Sequence, residues 1–200
     1  MDSIRRLEEI FARFPGIGPR QARRFVYHIL AKSPSGIKEF TDLVREVKGS
    51  TSECTRCHRF FASNGSKSSV CTICSDNSRD QSLLMVVARD SDFETVEKSG
   101  AYRGLYFILG GTVPILDKEP EKRIRLSALI QRAKNDKLAE IILSLNTTPD
   151  GENTAEIVKN NLVSLKFGSR ITFLGRGLST GAELEYVDAD TIKSALQNRH

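Results

Sequence analysis

Four cysteines constrain this chain more than any other feature: Cys54, Cys57, Cys71 and Cys74 form two CxxC pairs separated by thirteen residues, and no other cysteine occurs. Two thiolates three positions apart can take two corners of a tetrahedron from one tight turn. A second turn supplies the other two corners and closes the shell. This spacing predicts a structural Zn2+ site, one per chain. Two disulfides would suit a small secreted domain, but the N-terminus reads as no export signal, with acidic residues in its first turns. Cys54-Thr55-Arg56-Cys57-His58 also spells a haem-attachment or redox motif, yet neither accounts for the second pair, Cys71-Thr72-Ile73-Cys74. His58 is therefore expected beside the site, not in it. The intervening stretch Ser63-Asn64-Gly65-Ser66-Lys67-Ser68-Ser69 has nothing to build a core from and predicts a mobile tip.

Nowhere do eighteen apolar residues follow one another, so no membrane span is expected, and the cytoplasm is the expected compartment. The net charge of +5 is unevenly placed. Up to Ser82 there are 14 Lys or Arg against 9 acids, and beyond it 16 against 16, so the whole excess is N-terminal. That is where a polyanion would be drawn.

Residues 2–14 put Ile4, Leu7, Ile10 and Phe11 at helical spacing; Pro15-Gly16-Ile17-Gly18-Pro19 interrupts; Ala22, Phe25, Val26, Ile29 and Leu30 resume it. A third amphipathic stretch carries Ile37, Phe40, Leu43, Val44 and Val47, completing a small helical bundle. After Ser82 the pattern changes to short apolar runs at 83–88, 105–109, 141–145 and 171–174, which predict buried strands. Helical candidates at 93–98, 121–134 and 153–162 lie between them, so a parallel sheet covered on both faces is expected. A glycine-punctuated loop over 175–181 precedes a last helix beginning near Asp188.

The hairpin around Gly16 and Gly18 permits a backbone that presents free N–H groups at a helix start, a ready site for phosphate. Steps of about 100° put Arg20, Arg23, Arg24 and Tyr27 on one face, opposite Ala22, Phe25, Val26 and Ile29. This resembles the helix-hairpin-helix motif, which grips DNA backbone without reading bases. A plain helix connector or a subunit contact are the alternatives. The αβ part resembles Toprim domains, which hold magnesium with a glutamate after the first strand and an Asp-x-Asp after a later one. Ala88 and Asn146-Thr147-Thr148 stand there instead. Asp150 and Glu152 suit the first turn of the next helix. His28, beside core positions, is expected to pack or cap. No enzyme is expected.

Four blocks, taken in order, resemble the bacterial recombination mediator family RecR over nearly the whole chain. They are the hairpin, the CxxC pairs, the phrase from Glu97 to Tyr106 leading to Leu109-Gly110-Gly111, and Arg176-Gly177-Leu178-Ser179-Thr180-Gly181-Ala182-Glu183-Leu184-Glu185-Tyr186. The resemblance implies an α+β, multi-part chain: a helix-hairpin-helix bundle over 1–52, a four-cysteine zinc finger over 53–76, a Toprim-like α/β domain with a parallel sheet over 77–175, and a C-terminal oligomerisation segment over 176–200. It further implies a non-enzymatic, nucleoid-associated homotetramer ring that binds DNA and works with RecO, and in some cases RecF, to load RecA on gapped DNA. By position, Arg20 and Arg24, with Arg23 and the backbone of Gly16 and Gly18, match the DNA grip, and the four cysteines match the zinc ligands. Ala88 replaces an acid usual at a partner-binding position, and Asp150 and Glu152 lie in the corresponding later loop. A magnesium-dependent Toprim nuclease or primase and a pure protein adaptor are the competing classes.

Overall fold

The computed structural model describes residues 2–63, 68–117, 119–164, 168–175, 177–197 and 199. It divides into two compact units, Met1–Thr51 and Ser52–His200.

The first unit is helical. Helix α1 (Ser3–Ala12) starts where the Asp2 carboxylate accepts the Ile4 N–H, and α3 (Pro34–Ser50) starts where Ser33 Oγ accepts the Gly36 N–H at 3.2 Å. Between them α2 (Pro19–Leu30) opens on Gly18, with Pro19 at its first position, where a missing N–H costs nothing. Phe11 of α1 stands edge-on to Phe25 of α2 at 5.8 Å, and Ala22 and Val26 are buried. The third helix has the amphipathic stripe its sequence predicts. Its apolar face is nevertheless uncovered: Phe40, Leu43, Val44 and Val47 are all at least half exposed.

In the second unit β1 (Thr51–Glu53) and β2 (Phe60–Ala62) pair around the first cysteine turn, and the one-turn helix α4 (Thr72–Ser75) carries the last cysteine. Four parallel strands follow: β3 (Asp80–Val87), β4 (Gly104–Ile108), β5 (Glu140–Ser144) and β6 (Arg170–Phe173), in the order β4-β3-β5-β6. Met85 is level with Tyr106 on one side and Ile142 on the other. Helices α5 (Asp90–Ser99), α6 (Leu126–Asn135) and α7 (Pro149–Ser164) connect them. One core holds Leu84, Val86, Phe107, Leu129 and Val158; a smaller one on the opposite face holds Met85, Val87, Phe93, Tyr106 and Ile108. Such a doubly covered sheet needs the continuous apolar strands seen in the sequence.

Three details depart from the pattern-based expectation. Each strand of the parallel sheet begins earlier than its apolar run, because backbone pairing extends through Asp80, Gly104, Glu140 and Arg170. The helix expected over 121–134 is broken into a 3-10 turn, Pro120–Lys122, and α6. There Ile124 is drawn into the core and the Arg125 N–H donates to the Leu109 carbonyl at 2.8 Å, which no continuous helix could allow. Strand β4 is buried throughout although it ends the sheet. Two of its outward backbone groups are taken up from outside: the Ile108 N–H by the Cys57 carbonyl at 2.8 Å, and the Tyr106 carbonyl by Arg132 at 2.7 Å.

The chain closes with helix α8 (Ala189–Gln197), where Asp188 accepts the Thr191 N–H at 2.9 Å, in agreement with the helix expected near Asp188. Residues 64–67 of the expected mobile tip, Arg176 of the glycine-punctuated loop and His200 lie outside the described residues.

Candidate metal centre and nucleic-acid interface

The four cysteines meet. Their Sγ atoms all lie within 4.8 Å of one another, every one of the four residues is buried, and Cys57 Sγ is 3.6 Å from Cys71 Sγ. A zinc–sulfur bond of about 2.3 Å puts tetrahedral sulfurs about 3.8 Å apart, so the donor set fits zinc in size and softness. Each CxxC is wound by a local bond: the His58 N–H donates to the Cys54 carbonyl at 2.9 Å, and the Ser75 N–H to the Cys71 carbonyl at 3.1 Å. The Cys71 N–H also donates to Cys54 Sγ at 3.3 Å, a contact that favours the thiolate. Hydrogen bonding with Cys57 lowers the Cys54 thiol below its ordinary value and raises Cys57 above it, because the pair shares its protons. Four buried thiolates need a cation to coexist.

His58 stands outside this shell. Its Nδ1 is 2.8 Å from Glu53 Oε1, its ring packs edge-on against Phe107, and its φ of 62° lets the chain turn sharply out of the first CxxC. Two residues that the spacing did not single out tie the knuckle to the sheet. Arg56 donates to the Cys74 carbonyl at 3.1 Å and pairs with Asp136 at 3.2 Å, while Arg132 donates to the Arg56 carbonyl at 2.7 Å. Arg56 could have been noticed for its place inside CxxC. Arg132 follows Leu126 and Leu129 on the apolar side of its helix, which is the one sequence sign of its burial.

The hairpin in the first unit places Gly16 at φ +75°, a conformation that side chains resist, and the Ile17 N–H donates to the Phe14 carbonyl at 3.0 Å. The first N–H groups of α2 have no intrahelical acceptor by construction. Ala22 and Val26 are buried, Phe25 and Ile29 half-buried, and Arg20, Arg23, Arg24 and Tyr27 exposed, so the helix has the two faces expected. Arg23 reaches back to Glu8, 3.4 Å away. Arg20 and Arg24 have no ion-pair or hydrogen-bond partner among the described residues. His28 is exposed rather than packed, at the rim of a groove of about 540 Å³ lined by Phe11, Phe25, Ile29, Phe40 and Leu43.

At the carboxyl ends of the central strands, where ligands of open α/β sheets gather, Ala88 is buried beyond β3 and Asn146 is exposed beyond β5. Asp150 and Glu152 occupy the first turn of α7, Asp150 half-buried and Glu152 exposed. Gly151 between them lets α7 approach the preceding loop, since a Cβ there would stand 2.0 Å from the Asn146 carbonyl oxygen. Among the described residues the cysteines are the one cluster with three or more metal-ligating side chains.

Comparison with known proteins adds an independent observation. Residues 4–48 match a model described as RecR, helix-hairpin-helix; residues 82–174 match the Toprim domain; residues 177–200 match RecR, C-terminal. Recombination protein RecR of Chloroflexus aggregans is 37% identical over 196 residues, covering 98% of this chain and 92% of the relative. The protein of the same name from Cereibacter sphaeroides is 37% identical, covering 98% and 95%. That from Staphylococcus aureus strain Newman is 33% identical over 198 residues, covering 99% and 96%.

Proposed function

The chain belongs to the RecR family of recombination proteins, and from that premise we propose that it is a DNA-binding mediator of recombinational repair which acts without catalysis of its own. The observation that carries this reading is the pair Arg20 and Arg24: exposed, unpartnered among the described residues, and in the first two turns of a helix opened by Gly16 and Gly18. Guanidinium forks and free N–H groups together grip phosphates and ignore bases, so any sequence serves. Arg23 contributes after leaving Glu8.

The four cysteines hold one Zn2+ as a structural brace, with no position open for substrate. Ala88 and Asn146 supply no carboxylate to position magnesium, which supports a binding role for the Toprim part. The uncovered faces support a closed ring of four chains. Phe40, Leu43, Val44 and Val47 offer one apolar contact near the N-terminus, and Leu184 and Tyr186 another near the C-terminus. Two unlike contacts per chain, each made with a different neighbour, can close four chains into a ring of two dimers. Asp150 and Glu152 contribute to a surface for RecO-type and RecF-type partners, with which the ring loads RecA on gapped DNA in the bacterial nucleoid. No helix among the described residues is long and apolar enough to cross a membrane.

The deciding experiment is a salt titration of DNA binding by the double variant Arg20→Glu, Arg24→Glu, with oligomeric state followed in parallel. Unchanged affinity in an intact assembly refutes the reading. Magnesium-dependent cleavage of DNA by the wild-type chain would refute the non-catalytic assignment.

A further inference from the structure

Arg132 lies in α6, outside the cysteine knuckle, yet its side chain is only 6% exposed. Its Nε donates to Asp136 Oδ2 at 3.1 Å, and its Nη1 donates to the carbonyls of Tyr106 and Arg56, both at 2.7 Å. Nη2 has no hydrogen-bond partner among the described residues. A buried guanidinium with a donor left over is costly unless a compensating negative charge lies near. Asp136 does not supply enough, because the same Oδ2 atom also pairs with Arg56 Nη2 at 3.2 Å. Two cations therefore share one carboxylate, and the site carries an excess of positive charge.

The knuckle is where that excess is answered. Arg56 sits inside the first CxxC and donates to the Cys74 carbonyl, and Arg132 holds the Arg56 carbonyl. A divalent ion bound by four thiolates is a dianion as a whole, and burying it calls for positive charge around it. Resting on the zinc reading above, we infer that Arg132 is the buried counter-cation of the metal–tetrathiolate centre, held in place by the Arg56 and Tyr106 carbonyls, so that metal retention depends on a helix outside the knuckle. The sulfurs bind the metal and Arg132 stabilises the charge they leave behind. Its planar fork bridges two carbonyls, which holds the charge in place. Outer groups of this kind change metal affinity by about 10–100-fold.

The test measures zinc content per chain, then the rate of zinc loss to a chromophoric chelator, for the full wild-type chain and for Arg132→Gln, Arg132→Lys and Asp136→Asn, with circular dichroism to check folding. Arg132→Gln removes the charge and is expected to lose zinc about tenfold faster or more. Arg132→Lys keeps the charge and should stay within about threefold of wild type. Asp136→Asn enlarges the positive excess and should release zinc no faster than wild type. Wild-type retention in Arg132→Gln overturns the inference, as does release from Asp136→Asn as fast as from Arg132→Gln, which would make Arg132 mere scaffolding. Should Arg132→Gln fail to fold, Asp136→Asn decides by direction: release no faster than wild type supports the assignment, and faster release overturns it. A wild-type chain without zinc would instead refute the metal reading itself.

Discussion

The N–H of Ile108 donates to the carbonyl of Cys57 at 2.8 Å, joining the last residue of β4 to the first cysteine turn. The knuckle is thereby part of the sheet's own hydrogen bonding. Removing the metal should destabilise the αβ unit and not merely loosen a surface loop. Cys57→Ser is expected to cost about 3 kcal/mol, lowering the melting temperature by roughly 6–12 °C, with chelation of the wild type giving a similar fall. Scanning calorimetry with and without chelator checks this; an unchanged transition would make the metal dispensable.

Charge reversal at Arg20 and Arg24 should weaken binding to any DNA sequence alike. Loss of two phosphate contacts is expected to lower the slope of log affinity against log salt by about two. Fluorescence anisotropy across a salt series reads both quantities. Mass by light scattering must stay that of the wild type for the comparison to count.

The uncovered stripe of α3 predicts an assembly that falls apart at one contact and survives at the other. Leu43→Glu with Val47→Glu is expected to leave a species of about half the wild-type mass, since burying two carboxylates in an apolar face is unfavourable. Sedimentation velocity checks it, and a wild-type mass would remove α3 from the interface.

Gly151→Ala places a methyl group where the Asn146 carbonyl oxygen would be 2.0 Å away. Either α7 or the loop before it must shift, at a cost of about 1–3 kcal/mol. Thermal melts followed by circular dichroism should show the loss, together with weaker binding to any partner that uses Asp150 and Glu152.

Acid should weaken the outer strand pair through Glu140. Hydrogen bonds from Thr172 Oγ1 at 2.7 Å and then Arg170 at 2.9 Å hold its carboxyl below the ordinary value of 4.5. A folded-state value below the unfolded one contributes stability above the ordinary value, and that stability is lost as pH falls through the lower folded value. Glu140→Gln should therefore melt below wild type at neutral pH and converge with it under acid, as a pH series of melting curves would reveal.

Local chemistry was legible in the sequence, and long-range compensation was not. Two CxxC turns announce a tetrahedral donor set because each turn fixes half of it, and Ala22, Phe25, Val26 and Ile29 mark a packed face because helical period is local. Apolar runs located the four strands of the parallel sheet but neither β1 nor β2, and the first residues of those four, three of them polar, are paired through backbone, which side-chain pattern does not report. Ile124 broke the expected helix by entering the core, a contact made with residues distant in sequence. Arg132 was the least legible, since an arginine reads as exposed until the Tyr106 and Arg56 carbonyls that it binds are brought together by folding.

A sheet margin such as β4 is a template for a foreign strand, and here its outward Ile108 N–H and Tyr106 C=O are occupied by Cys57 and Arg132. Shedding the ion would free that template. The first symptom of metal starvation would then be self-association of otherwise folded chains, a loss of soluble material that precedes any change in how the hairpin meets DNA.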